Sequence, residues 1–491
     1  MPVVSNIINK SSVSFTNTPS AKQPQTQNYE QDINTNNCVK APLATLQAYN
    51  DVIFRDHGSG SHIKVDFITP DGNPVNFVPM QESFKMAQNK LSKMVENNDT
   101  DYFWVTLPEK LLKENYIDNV YTAINEFKKP FDKDSKLIFV ALGNPANTDE
   151  MARAFGLGHN MVYSNDTTPA QIKNTIKKAG DDLDKVQIII SSRSGSTFET
   201  NQTYKLLVDE LEEHYKNKGT KPEDMQKEIS KHFLFITDKN PDKSKLKRQA
   251  QSLGIKTIDC VDGHSAFADM AYGMPILAYL GLPKQSAVKM LESADNMSKK
   301  LVSQTSLENN TAAKIAAYDK NAATNNATKE QFIFHDPQFT DFSSTTKQLY
   351  EESLRKLNFS TNVYPRAAHS GLECAISREL KGQQLNNITN VVTRINYKPD
   401  SQEEEYLKEA AKLEEAHIKN AQQEGHFQKK IILEMGHDGI TPESVGEFET
   451  LKSFITYYKN EFENAGQTNL YNQGYVKVYK KIREERPQHN C

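Results

Sequence analysis

Val186-Gln-Ile-Ile-Ile-Ser-Ser-Arg-Ser-Gly-Ser-Thr-Phe-Glu-Thr200 decides how this chain is read. It opens with a short, nearly unbroken apolar run, the pattern of a strand buried on both faces of a parallel sheet. Hydroxyl residues follow, with one arginine and one glycine, and a helical pattern begins near Glu199, carrying Tyr204, Leu206, Leu207 and Leu211. A strand that runs straight into a helix presents the unpaired N–H groups of the helix start at its carboxyl end, where an anion is favoured. Gly195 permits a tight backbone path. The hydroxyls of Ser192, Ser194, Ser196 and Thr197 donate with little bulk, and Arg193 supplies a charged donor. An ordinary N-capped turn has the same composition, so the loop alone leaves capping and phosphate binding as alternatives.

Working outward, the same rhythm of strand, turn and helix recurs. Lys136 to Leu142 reads as a strand, followed by Gly143, Asn144 and Pro145 and a helix through Met151 and Phe155. Phe233 to Thr237 and Ile255 to Cys260 read as further strands, with a Lys-rich helix between them. Beyond an Asn- and Ala-rich loop near 309–328, strands are predicted at Phe332 to His335, Asn387 to Asn396 and Lys429 to Glu434, and Glu403 to Gln423 reads as a solvated amphipathic helix. Apolar runs alternating with helices predict an α/β fold of doubly wound parallel sheets. The expected organisation is a polar disordered tail over 1–40, a helical or extended segment over 41–99, one α/β domain over 100–285, a second over 286–460 and a C-terminal arm over 461–491. Two similar halves would be a repeat too diverged to see in the sequence.

Composition bounds the function. With 491 residues the chain exceeds one ordinary core. A net charge of −4 with 25% charged residues gives no global field for nucleic acid or an anionic membrane. Cys38, Cys260, Cys374 and Cys491 are widely separated, which speaks against a disulfide framework or a zinc site. The opening residues lack a secretory pattern and no run is long enough to span a bilayer, so the expected location is the cytoplasm.

The loop resembles the Ser-Lys-Thr-Gly-Thr-Thr-x-Glu-Thr segment of sugar isomerase (SIS) domains, and of the glucose-6-phosphate isomerase family in particular. Three further segments resemble that family in the same order. Lys347-Gln-Leu-Tyr-Glu-Glu-Ser-Leu-Arg-Lys356 is similar to the stretch with the proton-transferring glutamate, Ala368-His-Ser-Gly-Leu-Glu373 to the one with the ring-opening histidine, and Tyr471-Asn-Gln-Gly-Tyr-Val-Lys-Val-Tyr-Lys-Lys481 to the one with the family's lysine and glutamine. The likeness covers about residues 80 to 483. It implies two SIS-type doubly wound domains with a C-terminal helical arm, usually in a homodimer, and the interconversion of glucose 6-phosphate and fructose 6-phosphate without metal or organic cofactor.

Carried onto this sequence, the resemblance makes Glu352 the shuttling base, His369 and Lys480 the ring-opening pair, and Gln348 and Gln473 sugar contacts. Ser192, Arg193, Ser194, Ser196 and Thr197, with Gly143 and Asn144, would bind phosphate. A carboxylate partly withdrawn from water has its pKa raised toward the working range, as a base for this step requires. The bland alternatives are a solvated Glu351/Glu352 pair at a helix start and an exposed face for Lys480. The sequence also departs from the pattern. His264 stands where the family places the arginine that stabilises the enediolate, and a histidine is shorter and only partly charged at neutral pH. Pro145 removes a backbone donor from the turn whose family counterpart is Gly-Ile-Gly-Gly-Ser. Arg193 replaces a lysine. These departures keep two other readings open, a non-catalytic phosphosugar sensor and an isomerase of a different sugar phosphate.

Overall fold

Helices covering both sides of a sheet make its central strands continuous apolar runs, and the computed structural model contains two sheets wound in this way. The structure describes residues 62–97, 99, 103–131, 134–141, 148–260, 266–335, 342–354, 360–364, 385–395, 402–436 and 439–464. In chain order its elements are β1 (Ile63–Ile68), α1 (Gln81–Glu96), α2 (Phe103–Lys113), α3 (Tyr116–Lys128), β2 (Lys136–Ala141), α4 (Thr148–Ala154), β3 (Met161–Ser164), α5 (Pro169–Lys178), β4 (Val186–Ser191), α6 (Phe198–Asn217), α7 (Pro222–Ser230), β5 (Phe233–Thr237), α8 (Lys245–Leu253), β6 (Lys256–Asp259), α9 (Ala266–Leu280) and α10 (Lys284–Ser303). There follow α11 (Thr311–Thr324), β7 (Lys329–Phe334), α12 (Ser343–Leu354), β8 (Ser360–Tyr364), β9 (Asn386–Ile395), α13 (Gln402–Gln423), β10 (Phe427–Gly436), β11 (Gly439–Ile440) and α14 (Pro442–Asn464).

The first sheet has the order β3-β2-β4-β5-β6, with every pair parallel. Side chains alternate between two apolar layers. Leu137, Phe139, Ile189, Leu234 and Ile236 face the larger core, shared with α2, α3, α9 and α10. Ile138, Val140, Ile188, Ile190, Phe233 and Phe235 face Ile172, Leu207, Leu211 and Leu246 on the other side. The chain leaves β2 for β3 on one side and returns to β4 on the other, so the winding reverses between β2 and β4. That reversal opens a crevice at the carboxyl ends of these two strands.

The second sheet repeats the winding. Its order is β1-β10-β9-β7-β8; β7, β8, β9 and β10 pair in parallel, and the chain reverses between β7 and β9. Its far edge is closed by β1, antiparallel to β10 with Ile63 opposite Leu433. The sequence pattern does not predict β1, β3 or β8. α11 and α14 pack under this sheet with α10 against α14, and Phe332, Phe334, Val391, Ile431 and Leu433 join the larger core there. α10 and α14 meet so closely that a Cβ on Gly446 would collide with the Met290 carbonyl and the Ser293 hydroxyl.

Candidate functional site

The stretch from Ser191 to Thr200 leaves β4 at the point of reversal in the first sheet, and α6 begins at Phe198, one residue before the sequence expectation. Its carbonyls turn back onto the neighbouring strand and helix. Ser192 N–H donates to Ile236 O at 3.0 Å, Asp238 N–H to Arg193 O at 3.1 Å and Lys245 N–H to Ser194 O at 3.0 Å. The Thr237 hydroxyl donates to Ser192 O at 2.8 Å, and Asn201 Nδ2 donates to Gly195 O at 2.6 Å and Thr197 O at 2.8 Å. The carbonyls of Ser192, Arg193, Ser194, Gly195 and Thr197 are thus engaged as acceptors within the protein.

Gly195 is fixed by two independent constraints. Its φ is +59°, where an L side chain is strained, and a Cβ there would stand 2.5 Å from Leu246 N on α8. The hydroxyls organise the same turn. Ser192 Oγ accepts from Gly195 N–H at 3.2 Å, Ser194 Oγ accepts from Ser196 N–H at 3.2 Å, and Ser194 and Ser196 hydroxyls pair at 2.7 Å. Thr197 occupies the N-cap of α6 but makes no side-chain capping bond. The first-turn N–H groups therefore keep their ability to hold an anion, with the helix dipole behind them.

Two hydroxyls that sequence reasoning left out of the candidate set belong here. Ser191 and Thr200 are 0% and 1% exposed, and neither Oγ nor Oγ1 has a hydrogen-bond partner among the described residues. Natural interiors leave few such groups, because each costs about 1–3 kcal/mol. Thr148 Oγ1, at the start of the helix that follows β2, is a third. The only signal for them in the sequence is their position at the ends of apolar runs. Arg193, expected to supply a charged donor, has its Nε 3.8 Å from the Asp238 carboxylate.

Gln348 and Glu352 lie four residues apart on α12, one helical turn. Glu352 is in the last turn of that helix, not at its start. α12 is anchored by buried charge. Lys452 Nζ on α14 donates to the Thr345 hydroxyl at 3.1 Å and the Thr346 hydroxyl at 3.4 Å. Lys459 Nζ lies 5.1 Å from the centre of the Tyr350 ring, a cation over an aromatic face.

Lys459 belongs to a group of four buried charges. Lys429 Nζ sits 2.5 Å from Asp319 and 3.3 Å from Glu330, while Lys459 bridges Asp319 at 2.9 Å and also contacts Glu330. Burial alone would raise the Asp319 carboxyl, but Lys429 and Lys459 outweigh it and hold its pKa below the usual range. Burial likewise disfavours the Lys459 ammonium, and Asp319 and Glu330 reverse the effect and raise it. Burial raises the Tyr350 phenol well above its ordinary value, with Glu330 and Asp319 adding to the shift.

Gly143, Asn144, His264, His369, Gln473 and Lys480 lie outside the described residues. Among the described residues, no group of three His, Cys, Asp or Glu side chains is placed to hold a metal ion. No described helix is long and apolar enough to cross a membrane.

The winding of both sheets is shared with solved structures. A hypothetical protein, TT0462, from Thermus thermophilus matches this chain with a TM-score of 0.66 at 17% identity, over 86% of this chain and 99% of that one. A glucose-6-phosphate isomerase from Chlamydia trachomatis matches with a TM-score of 0.58 at 13% identity, over 77% of this chain and 75% of that one. The chain therefore shares the fold of these two structures, an α/β fold in two doubly wound sheets, and the doubly wound α/β arrangement is the one its sequence pattern predicts. At the level of sequence, no family model and no curated protein matches it.

Proposed function

We propose that this protein binds a sugar phosphate through the Ser191 to Thr200 loop and isomerises it between aldose and ketose, with glucose 6-phosphate and fructose 6-phosphate as the pair. The observation that supports this most is the loop itself: an uncapped helix start at the reversal point of a parallel sheet, with two buried and unpaired hydroxyls in the same segment. Phosphate held by these donors fixes one end of the sugar and makes the following steps intramolecular.

In the proposed reaction His369 and Lys480 open the ring, one giving a proton to the ring oxygen as the anomeric hydroxyl loses its own. The Glu352 carboxylate then removes the proton from C2, the electron pair forms the enediol double bond as the C1 carbonyl oxygen takes up a proton, and the same carbon-bound proton is returned to C1 as the C2 hydroxyl gives up its own to become the ketone. Gln348 and Gln473 would orient the sugar hydroxyls. His264 would stabilise the enediolate oxygen less strongly than an arginine, and removal of one such donor costs about a hundredfold or more. On this reading no metal or organic cofactor takes part, and the active unit is a homodimer.

Glu352→Gln tests the assignment. Isomerase activity is expected to fall to near background in a coupled assay while glucose 6-phosphate still binds; full activity in that variant would sink it. The second reading, a phosphosugar sensor, is favoured by His264 and Pro145 in the sequence. Titration with a panel of aldose and ketose phosphates, recording binding and turnover together, separates the two, since binding without turnover of any sugar belongs to the sensor.

A further inference from the structure

Phe198 is left unused by a reading that gives the loop to phosphate. It is 53% exposed, alongside only Val78 and Met86 among the large apolar side chains of the described residues. A lone exposed phenyl is ordinary on a protein surface, but this one has a particular address. It is the first residue of α6, directly after the N-cap Thr197. Helical side chains tilt toward the helix N-terminus, so the ring leans to the side on which the uncapped N–H groups open. Its neighbours on that rim are exposed Ser196 and half-buried Thr197, and Ser196 is tied to Ser194 at 2.7 Å. A ligand anchored there by an anionic group can extend past the phenyl. The carbon skeleton of a sugar offers a face of polarised C–H bonds, which suits the negative face of an aromatic ring. Sites for small polar ligands commonly combine such a surface with a few placed donors.

We propose that Phe198 is a specificity-determining residue that stacks on the carbon skeleton of a hexose phosphate whose phosphate lies in the Ser191 to Thr200 loop. The inference rests on the phosphosugar reading and adds to it the residue that separates a hexose phosphate from phosphate alone. The test is calorimetric titration of the full chain, Phe198→Ala and Phe198→Tyr with inorganic phosphate, glycerol 3-phosphate and glucose 6-phosphate. Phe198→Ala is expected to weaken glucose 6-phosphate by about three- to tenfold and the two ringless ligands by less than about twofold, and Phe198→Tyr to restore the difference. Equal loss for all three ligands, or none for glucose 6-phosphate, overturns the stacking role while leaving the phosphate loop intact. Failure of the unaltered chain to bind any of them removes the phosphosugar reading and this inference together.

Discussion

Replacing Gly195 by alanine puts the geometry of the loop to a quantitative test. At φ +59° an L-residue costs about 1–2 kcal/mol. The added Cβ would also stand 2.5 Å from Leu246 N and 2.8 Å from Leu246 Cγ. Ordinary contact begins at 3.4 Å, so roughly 0.9 Å of movement is required (3.4 − 2.5). Leu246 N is backbone in α8 and cannot rotate away, so the loop must move. That movement strains the bond from Lys245 N–H to Ser194 O, at 3.0 Å, and the one from Asn201 Nδ2 to Gly195 O, at 2.6 Å. Each is worth about 0.5–1.5 kcal/mol, which brings the total to about 2–5 kcal/mol.

Gly254 supplies the control, because it caps α8 at φ +70° with nothing within 4 Å of where a Cβ would stand. Gly254→Ala should therefore cost only the backbone share, about 1–2 kcal/mol. Urea unfolding of both variants measures the difference, and titration with inorganic phosphate measures the site. Gly195→Ala is expected to be the less stable and to bind phosphate at least about tenfold more weakly. A Gly195→Ala protein as stable as Gly254→Ala, with unchanged phosphate affinity, would refute both the packing argument and the role given to the loop.

Other measurements follow from the same structure. Burial lowers the His232 pKa from 6.5 to about 4, against the opposing pull of the Val186 carbonyl; that carbonyl lies 2.7 Å from Nδ1, and the Tyr215 hydroxyl lies 2.7 Å from Nε2. The unfolded chain takes up this proton first, so the contribution is complete above pH 6.5 and is lost as pH falls toward 4, about 3 kcal/mol in all. Urea midpoints between pH 7 and 4 should show the loss, and His232→Gln should flatten it. Lys459→Met leaves Asp319 and Glu330 facing one ammonium where there were two, and should cost about 3–5 kcal/mol by urea unfolding. Adding Glu330→Gln to it should recover part of that loss; no recovery would count against charge balance as the cause. Arg193→Met should weaken phosphate binding by less than about tenfold, because Asp238 already faces the guanidinium; abolished binding would restore the arginine to a principal role.

Which parts were legible follows from what covers each strand. β2, β4 and β5 are covered on both faces, so Leu137 to Ala141, Ile188 to Ile190 and Phe233 to Ile236 are continuous apolar runs that name themselves. The second sheet is harder to read because its strands bury polar groups. Glu330, Gln331, Asn386, Asn387, Lys429 and Lys430 are all buried, and the charges that make this tolerable are remote in sequence for two of them, since Asp319 lies 110 residues from Lys429 and Lys459 lies 129 residues from Glu330. The pattern accordingly starts β7 at Phe332 where the strand begins at Lys329. β1 is a partly exposed edge strand, and the pairing that orders it lies far along the chain. At the site, the serines and Gly195 could be recognised from their types and spacing. Ser191 and Thr200 could not, since their distinction is burial without a partner, and neither could Leu246 as the reason for Gly195.

The pairing of β1 with β10 also sets an order of events for a chain made from its N-terminus. His62 N–H meets Glu447 across a separation of 385 residues, so the second sheet cannot close its edge until nearly all of the described chain has left the ribosome. The strands of the first sheet all lie between β2 and β6, and the helices α2, α3, α9 and α10 on its inner face end at Ser303, so it has no such wait. During synthesis the β1 segment must stay unpaired beside a sheet that is already complete, and contacts of such long range form late. A chain lacking residues 62–68 would bare the long β10 edge, an invitation to intermolecular strand pairing. Its failure would be seen as aggregation during expression even if the phosphate loop itself were perfectly formed.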